Sequence, residues 1–198
     1  MSLLVLASGN PDKTRELRRI LAPLNVEVIS VTDPVPDWSV EETGITLEEN
    51  AFIKARDAFE KTGIPAVADD TGLFVDVLGG APGIYAARFA GADCSYEDNV
   101  RKLLRTMSGE KNRRACFRTA AAFVSETMEF SVPGEVGGVI LERPDGTGGF
   151  GYDPVFLPDG MDKTFARCTA QEKDRISHRA RSLRKLAEKL RVSGFGTG

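Results

Sequence analysis

Ile64-Pro65-Ala66-Val67-Ala68-Asp69-Asp70-Thr71-Gly72 is the stretch whose reading decides the fold. Its apolar half is short and unbroken, as in a strand buried on both faces of a sheet, and it ends in two adjacent carboxylates. Successive strand residues face opposite ways, so Asp69 and Asp70 cannot point in the same direction. One is expected to be held by the scaffold. The other would face a crevice beyond the strand's carboxyl end, where open α/β sheets place their ligands. Apolar Leu73-Phe74-Val75 and the turn signal Gly79-Gly80 follow at once, which sets the acids between buried elements. Read alone, these residues also suit a loop with two solvated acids, since Asp favours turns.

Upstream, Glu41-Glu42-Thr43-Gly44 precedes a strong helix start. Thr46 and Glu49 have capping-box spacing, and the helix is predicted to run to about Thr62, before Gly63. Asn50 and Lys54 share one of its faces, and Ala51, Ala55 and Ala58 form the side suited to close packing. At the amino terminus Leu3 to Ala7 reads as a central strand, followed by Ser8-Gly9-Asn10-Pro11-Asp12-Lys13. Asn10 is a good N-cap and Pro11 suits the first helical position. Such a strand–turn–helix opening offers backbone N–H groups and a lysine to a phosphate. It is not a Walker sequence, and it equally fits a capped helix with a surface lysine. Val26 to Val31 gives a second strand and Asp33 to Trp38 a Pro-rich loop.

Downstream, Ser95 is predicted to cap a helix carrying Tyr96, Val100, Leu103, Leu104 and Met107 on one face. Three strands are expected next, Phe117 to Val124, Met128 to Val132 and Val136 to Leu141, antiparallel because their links are short. The sheet is therefore mixed. Thr147 to Pro154 places three glycines around Phe150, which lets backbone approach a ligand while a ring is presented to it. A plain glycine-rich hairpin is the other reading. Glu172 to Arg179 leads into a helix with Leu183, Leu186, Ala187 and Leu190 in register. Ser177 is its expected N-cap, and His178 and Arg179 fall in a first turn whose dipole disfavours cations. Residues from about 193 to 198 read as a flexible tail.

A chain of 198 residues with 41% hydrophobic and 28% charged content suits one soluble domain. No apolar run reaches the length of a membrane span, and the first strand begins too close to Met1 for a signal peptide, so a cytoplasmic location is expected. Cys94, Cys116 and Cys168 suit neither a disulfide framework nor a zinc site. The net charge of −3 argues against a general nucleic-acid binder. Eleven acids against three bases lie between Glu27 and Asp70, and eight bases against three acids between Glu172 and Arg191. Most of these belong to solvated helix faces, but meeting at a cleft they would suit a metal and a polyanion together.

Six segments in order resemble the inosine/xanthosine triphosphate pyrophosphatases, the family that clears non-standard purine nucleotides. They are Ser8–Lys13, Glu41–Gly44, Glu49–Ala55, Ala68–Arg88, Thr147–Phe156 and Glu172–Arg179. Ser8 and Thr71 stand where the family often has Thr and Ser, which keeps a hydroxyl at each. Ala86 replaces a frequent serine and loses that hydroxyl's hydrogen bond.

The resemblance implies an α/β protein with a long mixed central sheet flanked by helices, its active site in a cleft between two lobes, as one domain over residues 1–198. It implies Mg²⁺-dependent hydrolysis of a nucleoside triphosphate between the α and β phosphates, and a homodimer. By position, Glu41 and Asp70 would bind the metal and Asp70 would activate the attacking water. Ser8, Gly9, Asn10, Lys13, Lys54 and Lys173 would hold the triphosphate, with Thr71 in contact. Phe150 would stack on the base in a pocket shaped by Gly151, Tyr152 and Asp153. His178 and Arg179 would donate to the base edge, and Asp69 would be a scaffold acid. The rivals are a Maf-like pyrophosphatase, which Thr147–Pro154 and Ser177–Arg179 speak against, and a phosphoacceptor signalling domain, whose acid pair follows its first strand. A nucleotide-binding module without turnover is the third.

Overall fold

The computed structural model describes residues 2–24 and 26–195. Seven strands and five α-helices alternate along them: β1 Ser2–Leu6, α1 Pro11–Leu21, β2 Val26–Ser30, α2 Leu47–Thr62, β3 Ala66–Val75, β4 Pro82–Gly83, α3 Tyr96–Thr106, β5 Arg114–Val124, β6 Glu129–Ile140, β7 Phe156–Pro158, α4 Ala170–Ile176 and α5 His178–Val192. The sheet order is β2-β1-β3-β5-β6-β7, with β4 paired to β3. β1 runs parallel to β2 (Leu4 opposite Val28) and to β3 (Val5 opposite Ala66), whereas β3–β4 and β6–β7 are antiparallel. The mixed α/β sheet expected from the sequence is therefore present.

Two compact units divide the chain: Met1–Asp70, Thr119–Gly134 and Arg179–Gly198 form the first, Thr71–Arg118 and Glu135–His178 the second. In the first unit, strand alternation sorts residues onto two faces. Leu4, Leu6 and Val67 pack with Leu17 and Leu21 of α1 and with Leu183, Leu186 and Leu190 of α5. Val5, Ala7, Ala66 and Ala68 pack instead with Ala51, Ala55 and Ala58 of α2, whose small side chains allow a close approach. The second unit has its own core, in which Val100 and Leu103 of α3 and its C-cap Met107 meet Tyr152, Phe156 and Phe165.

The helix starts follow their sequence signals. Asn10 Oδ1 accepts from Asp12 N–H at 2.9 Å, and Thr46 Oγ1 from Glu49 N–H at 3.1 Å. Ser95 and Asp98 form a full capping box on α3, and α2 ends at Gly63 with φ 66°.

Four expectations are corrected. β3 does not end at its acids but continues to Val75, because β4 pairs with Leu73 and Phe74 and sustains it. It is β1 that stops short: Ala7 N–H donates to Val67 O at 2.8 Å, and the chain then turns at Ser8. The acids thus lie past the carboxyl end of β1 rather than of their own strand. The two strands expected over 128–141 are one, β6. Buried Val132, Gly134 and Val136 alternate with exposed Pro133 and Glu135 without a break, so the proline falls on the solvent side. A separate helix, α4, precedes α5, from which the extended Ser177 divides it. Ser193 to Phe195 is a hydrogen-bonded turn closing α5, with the Phe195 ring against Phe123 at 5.3 Å, because an aromatic anchor outweighs terminal fraying. Residues 196–198 lie outside the described residues.

Candidate active site

In the first unit, alternation along β3 sends its two acids to different helices. Asp69 has the parity of Val67 and meets α1 and α5; Asp70 has that of Ala68 and meets α2. Asp69 Oδ2 lies 3.1 Å from Lys13 Nζ and 3.1 Å from Arg179 Nε. Arg179 Nη1 lies 2.8 Å from Glu16 Oε2, and Asp69, Arg179 and Glu16 are all buried. Burial pushes the Asp69 carboxyl up, but Lys13 and Arg179 outweigh it and hold the group well below the usual carboxylate range. Two acids and two bases balance here, as a buried ionic cluster requires.

Asp70 has a different setting. Its Oδ1 accepts from Lys54 Nζ at 2.8 Å, and the same ammonium reaches Glu42 Oε1 at 2.7 Å. Its Oδ2 is buried with no hydrogen-bond partner among the described residues. Burial raises the Asp70 pKa, Lys54 lowers it, and the Glu42 charge adds to the rise, so the net shift is upward. For Lys54, burial lowers the pKa but Asp70 and Glu42 more than reverse it. An unsatisfied carboxylate oxygen in a buried site is costly unless a cation or water reaches it.

The turn that carries Glu42 is fixed to α2. Asn50 Oδ1 accepts from Gly44 N–H at 2.8 Å, and Trp38 Nε1 donates to Asp57 Oδ2 at 2.6 Å. A Cβ on Gly44 would stand 2.7 Å from Asn50 Oδ1 and from Glu49 Cβ, so the turn reaches the helix only because residue 44 has none. Glu41, the expected metal ligand, is exposed, and Glu42 is the acid that shares Lys54 with Asp70. Around the phosphate-type turn, Ser8 Oγ accepts from Asn10 N–H at 3.1 Å, and Ser30 Oγ donates to Ser8 O at 3.0 Å. Gly9 is exposed between them. Lys13 Nζ also donates to Asp69 O at 3.2 Å, and burial lowers its pKa.

The second unit holds the aromatic group. Asp153 is buried, and its Oδ2 accepts from Phe150 N–H at 2.9 Å and from Lys173 Nζ at 2.6 Å. That ammonium lies 4.4 Å from the Phe150 ring centroid. Gly149, at φ 70°, permits this turn: a Cβ there would stand 2.1 Å from Asp153 Oδ2. Gly151 adds a second turn at φ 63°. Tyr152 is a core residue whose hydroxyl donates to Ala86 O at 2.9 Å. His178 is buried and stacked on Phe117 at 4.5 Å and 16°. Thr71 is half-buried on β3.

Two of the expected site cations have buried carboxylate partners. Lys173 pairs with Asp153 beside Phe150, because a lysine this buried needs a carboxylate and Asp153 supplies it. Arg179 pairs with Glu16 and Asp69 for the same reason. Sequence reasoning missed Glu16 and Glu42. Glu16 lies three residues after Lys13 on α1, a spacing that puts both on one side of the helix.

Comparison with known proteins identifies the family. The Ham1 family model matches residues 4–189. A Thermoanaerobacter pseudethanolicus protein named dITP/XTP pyrophosphatase is 46% identical over 185 residues, covering 92% of this chain and 93% of its own. An Escherichia coli protein of the same name is 46% identical over 196 residues, covering 96% and 99%. The solved Staphylococcus aureus Ham1 protein superimposes with a TM-score of 0.87 at 37% identity, over 97% of this chain and all of that one (100%). A Mycobacterium abscessus structure named nucleoside-triphosphatase / dITP/XTP pyrophosphatase matches with a TM-score of 0.73 at 43% identity, over 93% and 98%. With sequence and fold matched over nearly its full length, the chain belongs to the Ham1 family.

Proposed function

We propose that this protein hydrolyses non-standard purine nucleoside triphosphates (ITP, dITP and XTP) between the α and β phosphates, giving the monophosphate and pyrophosphate. The names of its relatives support the substrate class. The observation that carries the chemistry is the Asp70 carboxylate, with one oxygen on Lys54 and the other buried without a partner among the described residues.

Such an orphaned oxygen fits a divalent ion. It suits Mg²⁺, which takes one or two carboxylates and fills its other positions with water and phosphate oxygens. Asp70 and, from the exposed turn beside it, Glu41 would hold the ion. When bound, it neutralises phosphate charge and lowers the pKa of a coordinated water.

The protein's own residues do the rest. Asp70, with its pKa raised by burial, accepts the proton of the attacking water. Lys54, kept charged by Asp70 and Glu42, and Lys13 offer ammonium groups to the polyphosphate. The Ser8–Asn10 turn offers backbone N–H groups ahead of α1. In the second unit Phe150 stacks on the purine, and Lys173 presents an ammonium beside that ring. A 6-oxo group accepts from such a donor whereas a 6-amino group does not. Adenine would therefore be refused, and guanine excluded through its 2-amino group.

Pyrophosphate release measured over ITP, dITP, XTP, GTP and ATP, with and without Mg²⁺, tests the proposal. ITP, dITP and XTP should be turned over only with the metal, GTP poorly, and ATP least. Equal rates on ATP and ITP would overturn the substrate assignment.

A further inference from the structure

A second aromatic side chain stands at the Phe150 ring and belongs to none of the groups above. Tyr96 opens α3, 45% exposed, with its ring centroid 6.0 Å from that of Phe150 and the planes inclined by 40°. We infer that Tyr96 is the second wall of the purine site, so that the base lies against both rings; this rests on the proposal that Phe150 stacks on the base.

Both rings leave backbone that is fixed in advance. Ser95 N–H donates to Asp98 Oδ2 at 3.0 Å, and Asp98 N–H to Ser95 Oγ at 3.1 Å, which sets the first turn of α3. Buried Asn99 ties that turn to its neighbours, accepting from Ala90 N–H at 2.7 Å and donating to Ala87 O at 3.0 Å. Phe150 is held in turn by Asp153 through its own N–H. Little side-chain entropy remains to be lost at either ring, since Tyr and Phe each have only two χ angles.

The two rings touch each other, and a planar guest between them needs a wider gap. A base held between two rings needs them about 7 Å apart, twice the ~3.5 Å of carbon contact. The observed 6.0 Å is short of that by about one ångström. Tyr96 is 45% exposed, so a small χ1 rotation supplies the difference.

Steady-state hydrolysis of ITP by Tyr96→Leu, Tyr96→Phe and Phe150→Leu enzymes tests this, with inorganic tripolyphosphate as a competitive inhibitor that has no base. Tyr96→Leu should raise KM for ITP by about 10-fold, the usual scale of a lost stacking partner. Its kcat and the tripolyphosphate inhibition constant should stay within about 2-fold of wild type, and Tyr96→Phe should restore KM because the ring alone is needed. A wild-type KM in Tyr96→Leu beside a raised one in Phe150→Leu would overturn the role of Tyr96 alone. A parallel loss of ITP and tripolyphosphate binding would also overturn it, as a general disturbance. An unchanged KM in Phe150→Leu would remove the stacking proposal itself, and the second wall with it.

Discussion

Lys54 and Asp70 form a buried pair, Nζ to Oδ1 at 2.8 Å, that engages only one side of the carboxylate. Lys54 lies four positions after Asn50, which holds the turn carrying Glu42, so one face of α2 carries the ammonium and fixes its partner Glu42. The second carboxylate oxygen is buried with no hydrogen-bond partner among the described residues.

The adjacent acids should respond oppositely to loss of charge. Asp69 has a depressed folded pKa, so its stabilisation is complete above the unfolded value of about 3.9 and is lost as pH falls through the lower folded value. Asp69→Asn should cost ~3 kcal/mol at pH 7, as a broken buried pair does, and the difference from wild type should shrink below about pH 4. Asp70 has a raised folded pKa, so its buried charge opposes folding at neutral pH. Asp70→Asn should leave the urea midpoint unchanged or higher while lowering turnover by about 10³-fold. Urea titrations at pH 7 and pH 3 beside a pyrophosphate assay check both; a folded Asp70→Asn enzyme with near-normal turnover would remove Asp70 as the base.

Metal dependence should separate the two glutamates. Glu41→Gln is expected to raise the Mg²⁺ concentration needed for half-maximal activity several-fold with little change in thermal stability, since Glu41 is exposed. Glu42→Gln should instead act through Lys54, raising KM for the triphosphate. In Lys54→Met, Asp70 and Glu42 lose the cation between them, and added Mg²⁺ should raise the melting temperature more than in wild type. An identical metal titration in Glu41→Gln would take that residue out of the metal site.

Arg179→Ala is expected to weaken the fold rather than the choice of base, because its guanidinium is bound to Glu16 and Asp69. Activity on ITP and ATP should fall by the same factor. Lys173→Met, by contrast, should narrow the gap between ITP and ATP, since a site that loses its donor no longer penalises the amino group as strongly. The ratio of kcat/KM for the two nucleotides decides between these roles.

Gly149→Ala should disturb the base site more than the fold. Its Cβ would collide with Asp153 Oδ2, and the positive φ adds strain of about 1 kcal/mol. Displacing Asp153 releases both Phe150 N–H and Lys173. A several-fold rise in KM for ITP, with the tripolyphosphate inhibition constant unchanged, is the expected signature.

Local sequence signals determined much of this protein. Asn10, Thr46 and Ser95 mark helix starts because a side chain and an amide a few residues apart must meet whatever the surroundings. The opposite facing of Asp69 and Asp70 was equally legible, since strand alternation is a property of the backbone. The motifs from Ser8 to Arg179 carried the family. What only the tertiary structure decided were the partners of buried charges. Lys173 chose Asp153, Arg179 chose Glu16 and Asp69, and Lys54 chose Glu42 over its neighbour Glu41. The length of β3 was decided by β4, and that of β6 by a proline that happened to face solvent. A buried ammonium or guanidinium takes whichever carboxylate the fold brings within about 3 Å, a distance set by residues up to 163 positions away in the chain. No local pattern encodes that choice.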